Sequence, residues 1–304
     1  MCMDWVIPGI LYAFFNAAVI FANAKYRLDA NLLGIWRGFG GFLLAFPFAF
    51  FVPFPKDVWF WTFAALQGLM VGYYDYKLFS ASKRFGAGGT AMMTVMAIAL
   101  SVFLWWLIDF KRLDALVHAP KVFIPILLAV AGAAAGYVKM SGSGPDRKTL
   151  LKYMAPAVAV LSCMTLNSKN IVLKEPLASV IVYYMLIVGA VGGLFNATGY
   201  LRTASDKSFR AFIKLAGTRT AVTGGLAVLA ASALLMVSKN AAMLHIPNPG
   251  YLNALALTSP LWILWMNRTM GIHTRVNIKA ALFTLVCIGA LVYFADAPLP
   301  PMPY

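Results

Sequence analysis

The 304-residue chain is 62% hydrophobic and only 12% charged, with a mean hydropathy of +0.78 and a formal net charge of +15. A soluble domain carries about 25% charged residues, so this chain cannot cover a water-facing surface and most of its exterior must meet lipid. The charge reflects a shortage of acids, with one Glu (Glu175) and nine Asp, and the Lys and Arg lie in short gaps between apolar runs, which excludes a nucleic-acid binder with a clustered basic face.

A spanning helix needs about 20 mostly apolar residues. Ten such runs occur, at 5–24, 31–52, 58–80, 87–108, 121–140, 151–171, 177–200, 212–237, 250–267 and 277–296. The first has no basic stretch ahead of it and reads as a permanent helix, not a cleaved signal. Pro53, Pro55, Gly86 to Gly89, Ser141 to Pro145, Pro176, Pro247 and Pro249 punctuate the connections, and 298–304 forms a Pro-rich tail. Three scattered Cys (Cys2, Cys163, Cys287) and three distant His (His118, His245, His273) offer no metal-ligand spacing. No metal site, cofactor or enzymatic cluster is expected.

Small residues recur four apart: Gly34 and Gly38, Gly68 and Gly72, Gly132 and Gly136, Gly189 and Gly193. Such pairs let helix backbones approach closely in lipid. The chain also divides into two five-helix halves, 1–145 and 146–297. Placing Ala81 over Ala242 aligns Gly88-Gly89 with Pro249-Gly250 and Ala99 with Pro260. Because five is odd, the second half must run inverted relative to the first. The expected fold is therefore an all-α integral membrane bundle of ten transmembrane helices, built as two inverted five-helix repeats around a site at their interface.

The run Trp36-Arg37-Gly38-Phe39, Ala81 before a tight turn, Ile246-Pro-Asn-Pro-Gly-Tyr-Leu-Asn-Ala-Leu, Thr258-Ser-Pro260 and Gly289 together resemble the EamA-type ten-helix members of the drug/metabolite transporter superfamily. That resemblance implies a central cavity, alternating access, and substrates such as amino acids, amines, nucleotide-linked sugars or drugs. The chain departs from the family where its halves close their fourth helix on Gly-Glu; the matching stretches here are Asp109-Phe-Lys-Arg-Leu113 and Gly271-Ile-His273.

Lys and Arg are enriched in cytoplasmic loops. Counting helix ends, the loops after odd-numbered helices carry 17 basic residues and those after even-numbered helices carry 7. The count places both termini outside, whereas the resemblance implies cytoplasmic termini.

Ionisable and polar groups inside spans mark the candidate site, because they are costly there and face a cavity or a partner. Helix three carries Tyr73, Tyr74, Asp75 and Lys77, which either face a cavity or sit at headgroup level among interfacial tyrosines. Arg37 either grips a carboxylate or phosphate through its planar fork, or snorkels to the surface, or binds a backbone carbonyl. Asn16 and Asn23 share a face of helix one, with Asn167 and Asn170 as counterparts on helix six. Tyr183, Tyr184 and Trp262 offer cavity walls. The expected function is a secondary transporter moving a small polar or amphipathic metabolite, such as an amino acid or amine, across the inner membrane. Its site would be lined by helices one, two, three, six, seven and nine, in a monomer or homodimer coupled to a proton or sodium ion. The alternative is a lipid-precursor flippase on the same fold.

Overall fold

The computed structural model describes residues 4–140, 147–203, 209–271 and 277–297, and these are helical with no strand among them. The reason is the apolar surround: every backbone N–H and C=O must be satisfied without water, and the helix does this within one segment. The helices are α1 (Val6–Tyr26), α2 (Ala30–Ala45, continued by a 3-10 turn Phe46–Phe50), α3 (Val58–Ile108), α4 (Phe110–Val117), α5 (Pro120–Met140), α6 (Arg147–Val172), α7 (Leu177–Thr203), α8 (Phe209–Ala216), α9 (Arg219–His245), α10 (Gly250–Leu255), α11 (Ser259–Thr269) and α12 (Ile278–Ala295). Several of the scarce acids start helices. Asp29 accepts from the Asn31 and Leu32 amides, Asp57 from Trp59, and Asp109 from Arg112. Each satisfies donors that the helix itself leaves open.

Six of the described helical segments are long and apolar enough to cross a membrane: Val6–Tyr26, Ala30–Phe50, Pro120–Met140, Leu177–Arg202, Arg219–His245 and Ile278–Ala295. The protein is an all-α multi-pass membrane protein on this ground. The other core segments, α3, α6 and α10–α11, carry polar groups such as Gln67, Asp75, Lys169 and Asn253, all buried. The polar groups are concentrated in the interior of the bundle.

The break expected at Gly86–Gly89 is absent as a loop, since the backbone stays helical from Val58 to Ile108. A straight helix would nevertheless hold Phe63 and Ala97 about 51 Å apart. Asn167 donates to the Phe63 carbonyl at 2.9 Å and Ser162 to the Ala97 carbonyl at 3.2 Å. These two donors lie five residues apart on α6, so α3 doubles back on itself and presents two antiparallel limbs to α6. The ninth expected helix departs in the opposite sense. It is split into α10 and α11 by a 3-10 turn at Ala256–Thr258, just before Pro260, which has no N–H to continue the ladder. The eighth runs from 219 to 245 instead of 212 to 237. The short helix α4 occupies a stretch expected to be a connection, and α8 takes up the start of the run expected for the eighth span.

The main pairings are α1 with α9, α2 with α7, α3 with α6, α3 with α7, α3 with α10, and α5 with α12. At one end of the bundle the Trp5 indole donates to Asp296 at 3.0 Å, the Lys56 and Asp57 amides donate to Glu175, and Lys174 pairs with Asp57. At the other, Gly224 packs on Tyr26 and Leu28, and Lys77 stands over the Tyr153 ring. All four glycine pairs lie at helix contacts: the first two and the last join α2 and α3 to α7, and the third joins α5 to α12. The closest approach is backbone on backbone. A Cβ on Gly38 would stand 2.5 Å from the Gly193 nitrogen and 2.6 Å from its Cα, where nothing flexible can yield. Gly38→Val therefore destabilises the fold by about 1–3 kcal/mol, whereas Gly41→Ala, which would meet no atom within 4 Å, leaves it unchanged; thermal unfolding of the purified protein in detergent separates the two.

Candidate functional site

Within the bundle, six helices enclose a cavity with about 40 Å³ open to water centres, room for a few waters. Its walls come from α1 (Tyr12, Asn16, Val19), α2 (Arg37), α3 (Val71, Tyr74, Leu78), α6 (Leu161, Met164), α7 (Tyr184) and α9 (Leu235, Met236, Lys239). Helices one, two, three, six and seven of the sequence reading contribute as expected. The sixth wall is the eighth helix, α9, and not the ninth; Leu235 and Met236 lie within its expected run and Lys239 on its C-terminal extension.

Arg37 and Asp75 form a buried ion pair across α2 and α3, through the guanidinium Nη1 and the carboxylate Oδ1, with only 10% and 3% of their side chains exposed. Both side chains turn into the bundle and meet each other. The Arg37 Nε donor is buried and meets no acceptor among the described residues. In a low-dielectric interior a lone charge is expensive, and the pair is the means by which each is tolerated.

A second polar group sits toward the other end. The Lys239 ammonium, nine-tenths buried, donates to the Ser168 hydroxyl at 2.6 Å. Ser168 in turn donates to the Met164 carbonyl, and the Tyr184 hydroxyl stands beside both Ser168 and Gln67. Asn167 donates to the Gln67 side-chain oxygen at 2.8 Å, while the Gln67 amide nitrogen is buried without an acceptor. The residue after Ser168 on α6, Lys169, donates to the carbonyls of Met243, Leu244 and Ile246 and so closes the C-terminus of α9, where unsatisfied carbonyls gather.

Among the sequence candidates, Asn16, Arg37, Tyr74 and Tyr184 line the cavity directly. Asp75 joins them through Arg37, and Asn167 through Gln67. Asn16 also reaches the Ser259 hydroxyl at 3.4 Å. Four candidates go elsewhere. Lys77 lies over the Tyr153 ring, 4.3 Å from its centroid, with Tyr73 beside it. Tyr183 donates to the Ala49 carbonyl and packs against Phe54 and Trp61. Trp262 packs edge-on against Phe14, and its indole nitrogen has no partner among the described residues.

The sequence reading missed Tyr12, Gln67, Ser168, Lys169 and Lys239. Lys239 was assigned to a connection because Ser238 to Ala242 reads as a small, polar helix end. Helical periodicity held the signal: Ser232, Leu235, Met236, Lys239 and Met243 repeat at three- and four-residue steps and are all buried. Among the described residues no group of three His, Cys, Asp or Glu side chains comes together to hold a metal. A separate hollow between α5 and α12, lined by residues such as Leu128, Gly132, Phe283 and Val286, is apolar and open to the surface.

Removing one partner of the ion pair leaves the other charge buried alone. Arg37→Met or Asp75→Leu is expected to cost about 3–5 kcal/mol each, and the double variant to recover most of that loss. A double-mutant cycle in thermal or denaturant unfolding reads the coupling directly.

No known family's model matches the chain, and no curated protein is similar to it.

Proposed function

We propose that the protein is a secondary transporter that moves a small polar or amphipathic metabolite across a bacterial-type inner membrane by alternating access. The observation carrying this reading is the cavity: an ion pair, a buried lysine and three tyrosine side chains face one another inside a bundle whose outside is apolar. Intramembrane ionisable groups of this kind mark solute or ion pathways. With about 40 Å³, the cavity is too small for a metabolite, so entry requires the surrounding helices to part.

The two limbs of α3 and the broken α10–α11 support counting ten crossings, since each adds a traverse to the more apolar spans. Let the segments be numbered α1, α2, the two limbs of α3, and α5 in the first half, then α6, α7, α9, α10–α11 and α12 in the second. The first then pairs with the eighth as the sixth pairs with the third. The second pairs with the seventh, the fourth with the ninth, and the fifth with the tenth. Exchanging the halves leaves these pairings unchanged, which is what two inverted repeats require, and Ala81 and Ala242, the aligned residues, are both fully buried. This supports the resemblance to EamA-type drug/metabolite transporters drawn from the sequence motifs.

Orientation follows from charge. Lys169 and Lys239, two of the seven basic residues counted on the poorer side, are buried and no longer count as loop charges. The asymmetry therefore sharpens, and both termini lie outside the cytoplasm. A reporter that is active only in the cytoplasm, fused to the C-terminus, stays silent, and activity there reverses the assignment.

Asp75 is the coupling residue in this reading: protonation weakens its hold on Arg37, and the pair opens and closes with the proton. Purified protein in proteoliposomes, screened against amino acids, amines and organic acids, takes up at least one class faster when a proton gradient is imposed. Asp75→Asn reduces that uptake to the rate seen without the gradient, and retention of the full gradient-driven rate removes Asp75 from the mechanism.

A further inference from the structure

The charges around the cavity do not balance. The charged side chains in and beside the cavity are Arg37, Asp75, Lys169 and Lys239. Lys169 is occupied by three carbonyls and Asp75 by Arg37. Lys239 keeps one neutral partner, the Ser168 hydroxyl, for a group with three donors. Two buried donors of the same region, the Arg37 Nε and the Gln67 amide nitrogen, meet no acceptor among the described residues. The cavity thus has two cationic side chains on its walls, Arg37 and Lys239, against the single carboxylate of Asp75, in a place where each unmatched donor is costly.

We propose that the cavity takes a small organic anion through a carboxylate, received between Arg37 and Lys239. The inference deepens the transporter reading and rests on it. A carboxylate fits better than a cation. The tyrosine rings of the walls would attract a cation, but two buried positive groups on the same walls repel it, and the carboxylate of Asp75 is already engaged. It also fits the shape of the donors. The guanidinium is a planar fork suited to carboxylate, and its present partner, Asp75, is itself a carboxylate, so an arriving one competes with Asp75 for the same atoms.

Depth gives the two cations different tasks. Arg37 lies seven residues into α2 and Lys239 six residues before the end of α9, that is, about 10 Å and about 9 Å from opposite ends of the bundle. Tyr12, Asn16, Tyr74 and Tyr184 line the space between. An anion entering from either side therefore meets one cation first and is handed to the other.

The test uses the purified full chain in lipid nanodiscs. Thermal unfolding is followed with sodium succinate and sodium acetate, with choline and putrescine chlorides, and with sodium chloride at matched ionic strength. A ligand of the folded state raises the unfolding midpoint in a saturable way. Succinate or acetate is expected to do so and the cations are not. Lys239→Met weakens the apparent carboxylate affinity about tenfold or more, while Lys239→Arg keeps most of it. Gly41→Ala, whose added Cβ meets no atom within 4 Å, serves as the folded reference if Lys239→Met does not purify, with Arg37→Lys then carrying the affinity loss. Stabilisation by choline or putrescine with none by the carboxylates overturns the anion assignment while leaving a transporter of cations standing. Carboxylate binding unchanged in Lys239→Met overturns it as well. If no probe binds and proteoliposomes accumulate none of them, both the anion assignment and the transporter reading fall.

Discussion

A positive and a negative charge held against each other inside an apolar bundle govern this molecule. Neither Arg37 nor Asp75 would be tolerated alone at that depth, and they stand on successive helices, α2 and α3. Their pairing fixes how those helices face each other, and the four other helices then close around them. Because an ion pair in such surroundings adds little stability over an apolar replacement, its presence points to work done there.

The packing around the pair depends on residues with almost no side chain. Gly34, Gly38, Gly189 and Gly193 bring α2 and α7 to backbone contact, and Gly68 and Gly72 do the same for α3 against α7. With no hydrophobic drive between helices in lipid, such close approach supplies the cohesion. It also draws the helices tight enough to leave only a narrow space beside Arg37. Larger residues at these positions would push α2 away from α7 and separate Arg37 from the Tyr184 side of the cavity.

Much of this was legible in the sequence, for a physical reason. A charge or amide inside a long apolar run is so unfavourable that its position alone identifies an interior partner, and Arg37, Asp75, Asn16 and Asn167 were all found in this way. The glycine pairs were legible for the same kind of reason. What escaped notice was at the helix ends. Apolar content fades before a helix stops, so Lys169 and Lys239 read as loop charges, although the helical period ran through both. Lys77, Tyr73 and Tyr183 misled in the other direction, because polar and aromatic side chains near a helix end serve equally well against a neighbouring ring or a loop carbonyl. The continuity of α3 through Gly86–Gly89 was not legible either. Consecutive glycines suggest a turn, and a helix that bends back without uncoiling leaves the same composition.

Lys169 has a mechanical consequence. The last carbonyls of a helix are ordinarily its loosest part, but those of α9 are gripped by an ammonium from α6. The strand of chain that follows, toward Pro247 and Gly250, therefore begins from a clamped post and not from a frayed end. The same two helices are tied a second time by Lys239 on Ser168, so α6 and α9 are pinned to each other at two neighbouring levels ahead of the short helix α10.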